Sequence, residues 1–149
     1  MLVNVVIGVA EQDGKILLIK RERGDFVGLW GLPGGKVEEG EHLDTAIERE
    51  LFEETGIKFQ FEKVLGVSTE IMHDTGSTSM LYCCKLKNSD IRKYEGELTS
   101  KWFDIEELLT SKEVIESDLL FIKEFYKEKN NNYLKLDCYR DDNGKYYWK

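Results

Sequence analysis

Three glutamates stand out for the chemistry their spacing allows: Glu50, Glu53 and Glu54, all within the stretch 42–55. Spaced i, i+3 and i+4, they are neighbours on one helix surface. At ~100° per residue the same helix places Leu43, Ala46, Ile47 and Leu51 on one apolar stripe. That stripe runs on through Glu50 and Glu54, with Glu53 one step to its side. Like charges there repel one another, and a sequence that breaks its own pattern this way does so for function. A hard divalent cation resolves the conflict, because Mg²⁺ takes carboxylate and water oxygens and bridges to phosphates. A solvated acidic face partnered by Arg49 is the plainer alternative. It fits less well, since the acids continue the stripe that faces a core.

The elements around this helix must hold it against a phosphate-sized space. Gly56 ends it as a C′ residue. Before it runs a Gly-rich segment with Gly24, Gly28, Gly31, Gly34, Gly35 and the chain's single proline, Pro33. Such a loop brings a backbone carbonyl to a metal or backbone N–H groups to a phosphate. Strands are predicted over 3–10, 15–21, 59–71, 78–87 and 101–103, with a turn at Asp13-Gly14. Helices are predicted over 104–109 and 117–129, and a hairpin over Tyr133 to Trp148 around Asp142-Asn143-Gly144. This mixture predicts an α/β or α+β sandwich. No repeat or linker divides it, so 1–130 is read as one domain and 131–149 as a hairpin extension of it.

The 149 residues are enough for one domain with its own core. Hydrophobic residues at 41 % and charged residues at 34 % describe a globular chain rather than a disordered one. No run approaches the ~18 apolar residues of a membrane span, and residues 1–10 read as a strand rather than a signal peptide. The net charge of −8 disfavours a nucleic-acid backbone as partner, but not a small phosphate met through cations. Cys83, Cys84 and Cys138 make no disulfide framework, and adjacent strand residues point to opposite faces. They are read as small core residues of a reducing cytoplasm.

From Gly35 to Ile57 the chain reads G-x5-E-x7-R-E-U-x-E-E-x-G-U, where U is aliphatic. Its fixed positions are Gly35, Glu41, Arg49, Glu50, Leu51, Glu53, Glu54, Gly56 and Ile57. This resembles the box of the Nudix hydrolases at every position. Leu29-Trp30-Gly31-Leu32-Pro33-Gly34 ahead of it and Trp102-Phe103 with Glu106-Glu107-Leu108 after it extend the likeness to about residue 125. The resemblance implies a Nudix fold, a mixed β-sheet sandwiched between α-helices, here with a C-terminal β-hairpin. It implies hydrolysis of a nucleoside diphosphate linked to another moiety, with Mg²⁺ or Mn²⁺. By the same resemblance Glu50, Glu53, Glu54 and the Gly34 carbonyl would hold the metal. Arg49 would orient a carboxylate, and Glu41 would support the site. A later glutamate would join as ligand or base, with Glu97 the candidate and Glu95 its competitor.

Basic residues near the end of the second strand touch phosphate in MutT-type relatives, which points to Arg21, with Arg23 as runner-up. Phe26 is a candidate to stack on a base; Trp30 fits a structural role better. His42 and His73 have no ligand-type company. The short chain lacks a proline after Pro33, and with it the downstream proline signatures of ADP-ribose and NADH hydrolases. That leaves a nucleoside triphosphate, oxidised ones included, as the expected substrate, giving a monophosphate and pyrophosphate. ADP-ribose or a nucleoside diphosphate sugar is the alternative, and a nucleotide-sensing domain without turnover is the alternative of another class. The intact carboxylate set speaks against the last. The aromatic tail leaves a homodimer open.

Overall fold

The computed structural model describes residues 2–129 and 131–149, with the side chains of 89–92 left aside. Met1 and Asn130, where the expected extension begins to divide from the domain, fall outside the described residues. Strand β1 (Leu2–Gln12) turns at Asp13-Gly14 into β2 (Lys15–Lys20). The Gly-rich segment is not one loop. It contains two short strands, β3 (Trp30–Gly31) and β4 (Gly34–Lys36), which pair with β2 and β1. Helix α1 (Leu43–Thr55) follows, then the long strands β5 (Ile57–Met72) and β6 (Ser77–Lys93). Both outrun their predicted limits because they pair antiparallel well past the core, with register shifts absorbing the misfit. Strand β7 (Ser100–Asp104) and the short helices α2 (Ile105–Leu108) and α3 (Glu116–Phe121) come next. The helix predicted over 117–129 widens into a π-helical turn at Ile122–Lys127, where the Glu128 N–H reaches the Lys123 carbonyl. Phe121, Ile122 and Phe125 are all buried there.

The sheet runs β3-β2-β1-β6-β5-β8-β9, where β8 is Tyr133–Arg140 and β9 Tyr146–Trp148. Pairs β1–β6 and β5–β8 are parallel and the others antiparallel, so the sheet is mixed. Its two faces bury alternate residues, as the period of two dictates. Val6, Leu17 and Cys84 join Ala46, Ile47 and Leu51 of α1 on one face. Ile7, Leu18 and Cys83 join Phe121, Ile122 and Phe125 on the other. The result is an α+β fold with a sheet sandwiched between helices. Cys83 and Cys84 belong to opposite cores, and all three cysteines are buried and free.

The hairpin lies along β5, from Val67↔Tyr133 to Met72↔Cys138, and buries Leu136 and Cys138. No helix among the described residues is long and apolar enough to cross a membrane.

Candidate active site

Helix α1 carries its glutamates to one end of the sheet. Ala46, Ile47 and Leu51 anchor it to the core, and Gly56 closes it in the left-handed conformation at φ 74°. The helix turn that buries Leu51 leaves Glu50 and Glu54 partly buried and Glu53 exposed. Strand β4 passes directly over them. A Cβ on Gly34 would run into the Val6 carbonyl oxygen, so glycine lets that strand run there, and one on Gly35 would lie 2.5 Å from the Glu50 carboxylate and displace it. The Gly34 N–H donates to Glu54 Oε1 at 2.7 Å. The Gly34 carbonyl, expected as a metal ligand from the resemblance, therefore lies on the residue whose N–H already holds Glu54.

Arg49 organises the acids. It forks onto Glu41, with Nε 2.8 Å from Oε2 and Nη2 2.9 Å from Oε1. Its Nη1 donates to Glu50 Oε1 at 2.9 Å and to Glu53 Oε2 at 3.3 Å. The Arg49 guanidinium holds the Glu41 carboxyl down at about 2. Glu50 shifts the other way, raised by burial against the pull of Arg49. Glu54 is pushed up to about 8, first by burial and then by Glu50 and Glu97, with the Gly34 N–H and Arg21 opposing.

Glu97 is brought in by backbone bonds. Its N–H donates to the Glu53 carbonyl at 2.9 Å, and that of Leu98 to the Glu54 carbonyl at 3.0 Å, satisfying carbonyls at the end of α1. Arg21, Arg23, Glu50, Glu53, Glu54 and Glu97 thus line one cleft of about 720 Å³. Glu95 is exposed outside its wall. Lys20 lies over the Trp30 ring at 5.9 Å instead, and Trp30 packs edge-on against Phe103. Phe26 is not in this cleft; it sits under the hairpin, 5.5 Å from the Trp148 ring. His42 is exposed at the N-cap without a side-chain cap bond, and His73 pairs with Asp137.

Two further acids escaped sequence reading. Asp118 accepts from the Leu32 N–H at 2.9 Å and is pushed up to about 7 by burial, with Glu70 raising it further and Arg21 opposing. Glu70, also raised by burial, accepts from the Trp148 indole at 3.2 Å. The signal for Asp118 was present: it falls on the stripe of Val114, Ile115, Phe121, Ile122 and Phe125, as Glu54 does on that of α1.

The donor set suits a hard divalent cation, being carboxylate oxygens alone, two of them with raised pKa in a shared cleft. No three acidic, histidine or cysteine side chains among the described residues are already closed into a metal cage. Glu50 and Glu53 are turned to Arg49 and Glu54 to Gly34, so binding would redirect them.

A mixed sheet between helices, with a glycine-crossed acidic helix at one end, defines a class that the comparisons specify. The family model described as the NUDIX domain matches residues 2–125, and the chain belongs to that family, the Nudix hydrolases. It is 34 % identical over 103 residues to an ADP-ribose pyrophosphatase of Methanocaldococcus jannaschii, covering 68 % of this chain and 61 % of that one. It is 28 % identical over 136 residues to an oxidized purine nucleoside triphosphate hydrolase of Danio rerio, covering 84 % and 81 %. A solved NUDIX hydrolase from Nitrosomonas europaea superposes with a TM-score of 0.73 at 26 % identity, over 87 % of this chain and 91 % of that one. The chain spans less than two thirds of the length of the first curated relatives it matches, from 61 % down to 35 %.

Proposed function

We propose that the chain hydrolyses a nucleoside diphosphate linked to another moiety, with Mg²⁺ or Mn²⁺ as cofactor. Its expected substrate is a nucleoside triphosphate, oxidised ones included, converted with one water to a monophosphate and pyrophosphate. The observation that carries this reading is the shared cleft: Glu50, Glu53, Glu54 and Glu97 line it together with Arg21, Glu22 and Arg23. The cation supplies charge neutralisation at the phosphoryl oxygens and acidification of water. Glu50, Glu53 and Glu54 would hold it, with Arg49 fixing the first two in place. Arg21 and Arg23 orient the phosphate chain by charge-assisted bonds. Glu97, free of the Arg49 fork, takes the proton of the attacking water, and Glu50 is the other candidate base.

A second reading, ADP-ribose or a nucleoside diphosphate sugar, is favoured by the name of the archaeal relative. The zebrafish relative, which matches over more of both chains, favours the triphosphate. The buried free cysteines fit a cytoplasmic setting. Tyr133 and Tyr147, both exposed on the hairpin, are where a homodimer would form. The test is a panel of nucleoside triphosphates, ADP-ribose and nucleotide sugars with Mg²⁺ and with Mn²⁺, products resolved by chromatography. Release of pyrophosphate from triphosphates is the expected result. Turnover confined to ADP-ribose or a sugar nucleotide selects the second reading, and none on any substrate removes both.

A further inference from the structure

Where α3 runs into the π-helical turn, a cavity of about 470 Å³ opens between these elements, the end of α2 and β9. It shares no lining residue with the carboxylate cleft. Its apolar lining is Leu109, Leu119, Leu120 and Trp148, each half-buried at the edge of the core that holds Phe121 and Phe125. The Trp148 wall is fixed, because its indole N–H donates to Glu70 at 3.2 Å.

Polar groups stand at the two ends of this apolar stretch. Ser117 marks one end. It is only 8 % exposed, yet its hydroxyl has no hydrogen-bond partner among the described residues. No buried side-chain oxygen is sealed from solvent without a partner, so the hydroxyl opens where Ser117 lines the cavity. A hydroxyl this deep and unpaired costs free energy until something reaches it. Glu116 lines the same end. Lys123 and Lys127 mark the other, together with Glu128, on a π-helical turn of the kind found often at functional sites. Lys127 is already paired with Glu106 at 2.6 Å, whereas Lys123 has no ion pair among the described residues. Six residues of helix, at ~1.5 Å each, set Ser117 and Lys123 roughly 9 Å apart.

We propose that this cavity binds a small organic anion with an apolar body, a carboxylate at one end and a hydrogen-bond donor at the other. The body lies on the three leucines and Trp148, where its burial supplies most of the affinity. The carboxylate meets Lys123, the cation left without a partner. The donor meets the Ser117 hydroxyl and the Glu116 carboxylate, which gives the buried oxygen its missing bond. The volume lies within the ~300–1,000 Å³ of small-molecule sites. This inference goes beyond the hydrolytic reading and does not rest on it.

The test uses the full chain in chelator without nucleotide, so its outcome is independent of hydrolysis. 6-Hydroxy-2-naphthoate, which carries both end groups, is titrated calorimetrically beside two analogues. 2-Naphthol lacks the carboxylate and 2-naphthoate lacks the donor. The hydroxynaphthoate should bind saturably at one site, 2-naphthol about tenfold more weakly and 2-naphthoate about fivefold more weakly. Lys123→Gln should bring the hydroxynaphthoate down to the affinity of 2-naphthol. Ser117→Ala should weaken hydroxynaphthoate binding about fivefold. The same variant should leave the melting temperature of the free protein unchanged or higher, since it removes an unpaired buried hydroxyl. A serine of purely structural use would do the reverse. Absence of saturable binding, 2-naphthol bound as tightly as the hydroxynaphthoate, or wild-type affinity in either folded variant overturns the proposal.

Discussion

Glu54 concentrates the tension in this molecule. It is partly buried, faces Glu50 and Glu97, and is pushed up to about 8. A carboxyl whose folded pKa lies above its ordinary 4.5 stabilises the fold fully below about 4.5 and loses that contribution as pH rises through about 8. Glu50 and Asp118 shift in the same direction. Glu41, held at about 2, does the opposite: its contribution is present above 4.5 and is lost as pH falls through about 2. Metal-free protein should therefore lose stability between about pH 5 and pH 8 in urea melts, and Glu54→Gln should flatten that slope. An unchanged slope in the variant would remove Glu54 as its source. The stripe logic that singles out Glu54 works because a helical period is local. Choosing Glu97 over Glu95 was beyond it, since that depends on backbone bonds from residues 97 and 98 to the end of α1.

The C-terminal hairpin is the element whose placement the sequence left most open. Its strand and turn were readable from alternation and from Asp142-Asn143-Gly144, whereas its neighbour was not. Pairing of β8 with β5 joins residues more than sixty positions apart, and only that pairing brings Trp148 to Phe26. The same holds for the Gly-rich segment, whose short strands exist only because β1 and β2 are there to pair with. Leu136, 5 % exposed, belongs to the core cluster that also holds Phe121 and Phe125. Leu136→Ala should cost about 2–4 kcal/mol in chemical denaturation. A cost below about 0.5 kcal/mol, as for a surface position, would show the hairpin to be loosely attached. Deleting 131–149 should go further, baring the β5 edge from Val67 to Met72 and inviting aggregation. A truncated chain that stays soluble and keeps the parent's melting temperature would contradict this.

Across the whole molecule the governing constraint is charge. The proposed substrate is an anion, yet the chain carries a net charge of −8 and its cleft is lined by five carboxylates and only two arginines. The proposed cation would reconcile the two, so binding of metal and turnover should fail together. The fold class was legible because strand alternation and one acidic helix are short-range patterns. The cleft as a volume was not, since it needs β2, α1 and the segment after β6 to meet. The most direct measurement is a calorimetric titration of Mn²⁺ into wild type and Glu54→Gln, with turnover of a nucleoside triphosphate at saturating Mg²⁺ on the same samples. Wild type should bind the metal, and the folded variant should bind it more weakly and turn over at least ~10²-fold more slowly. Wild-type metal affinity and wild-type turnover in Glu54→Gln would contradict the account.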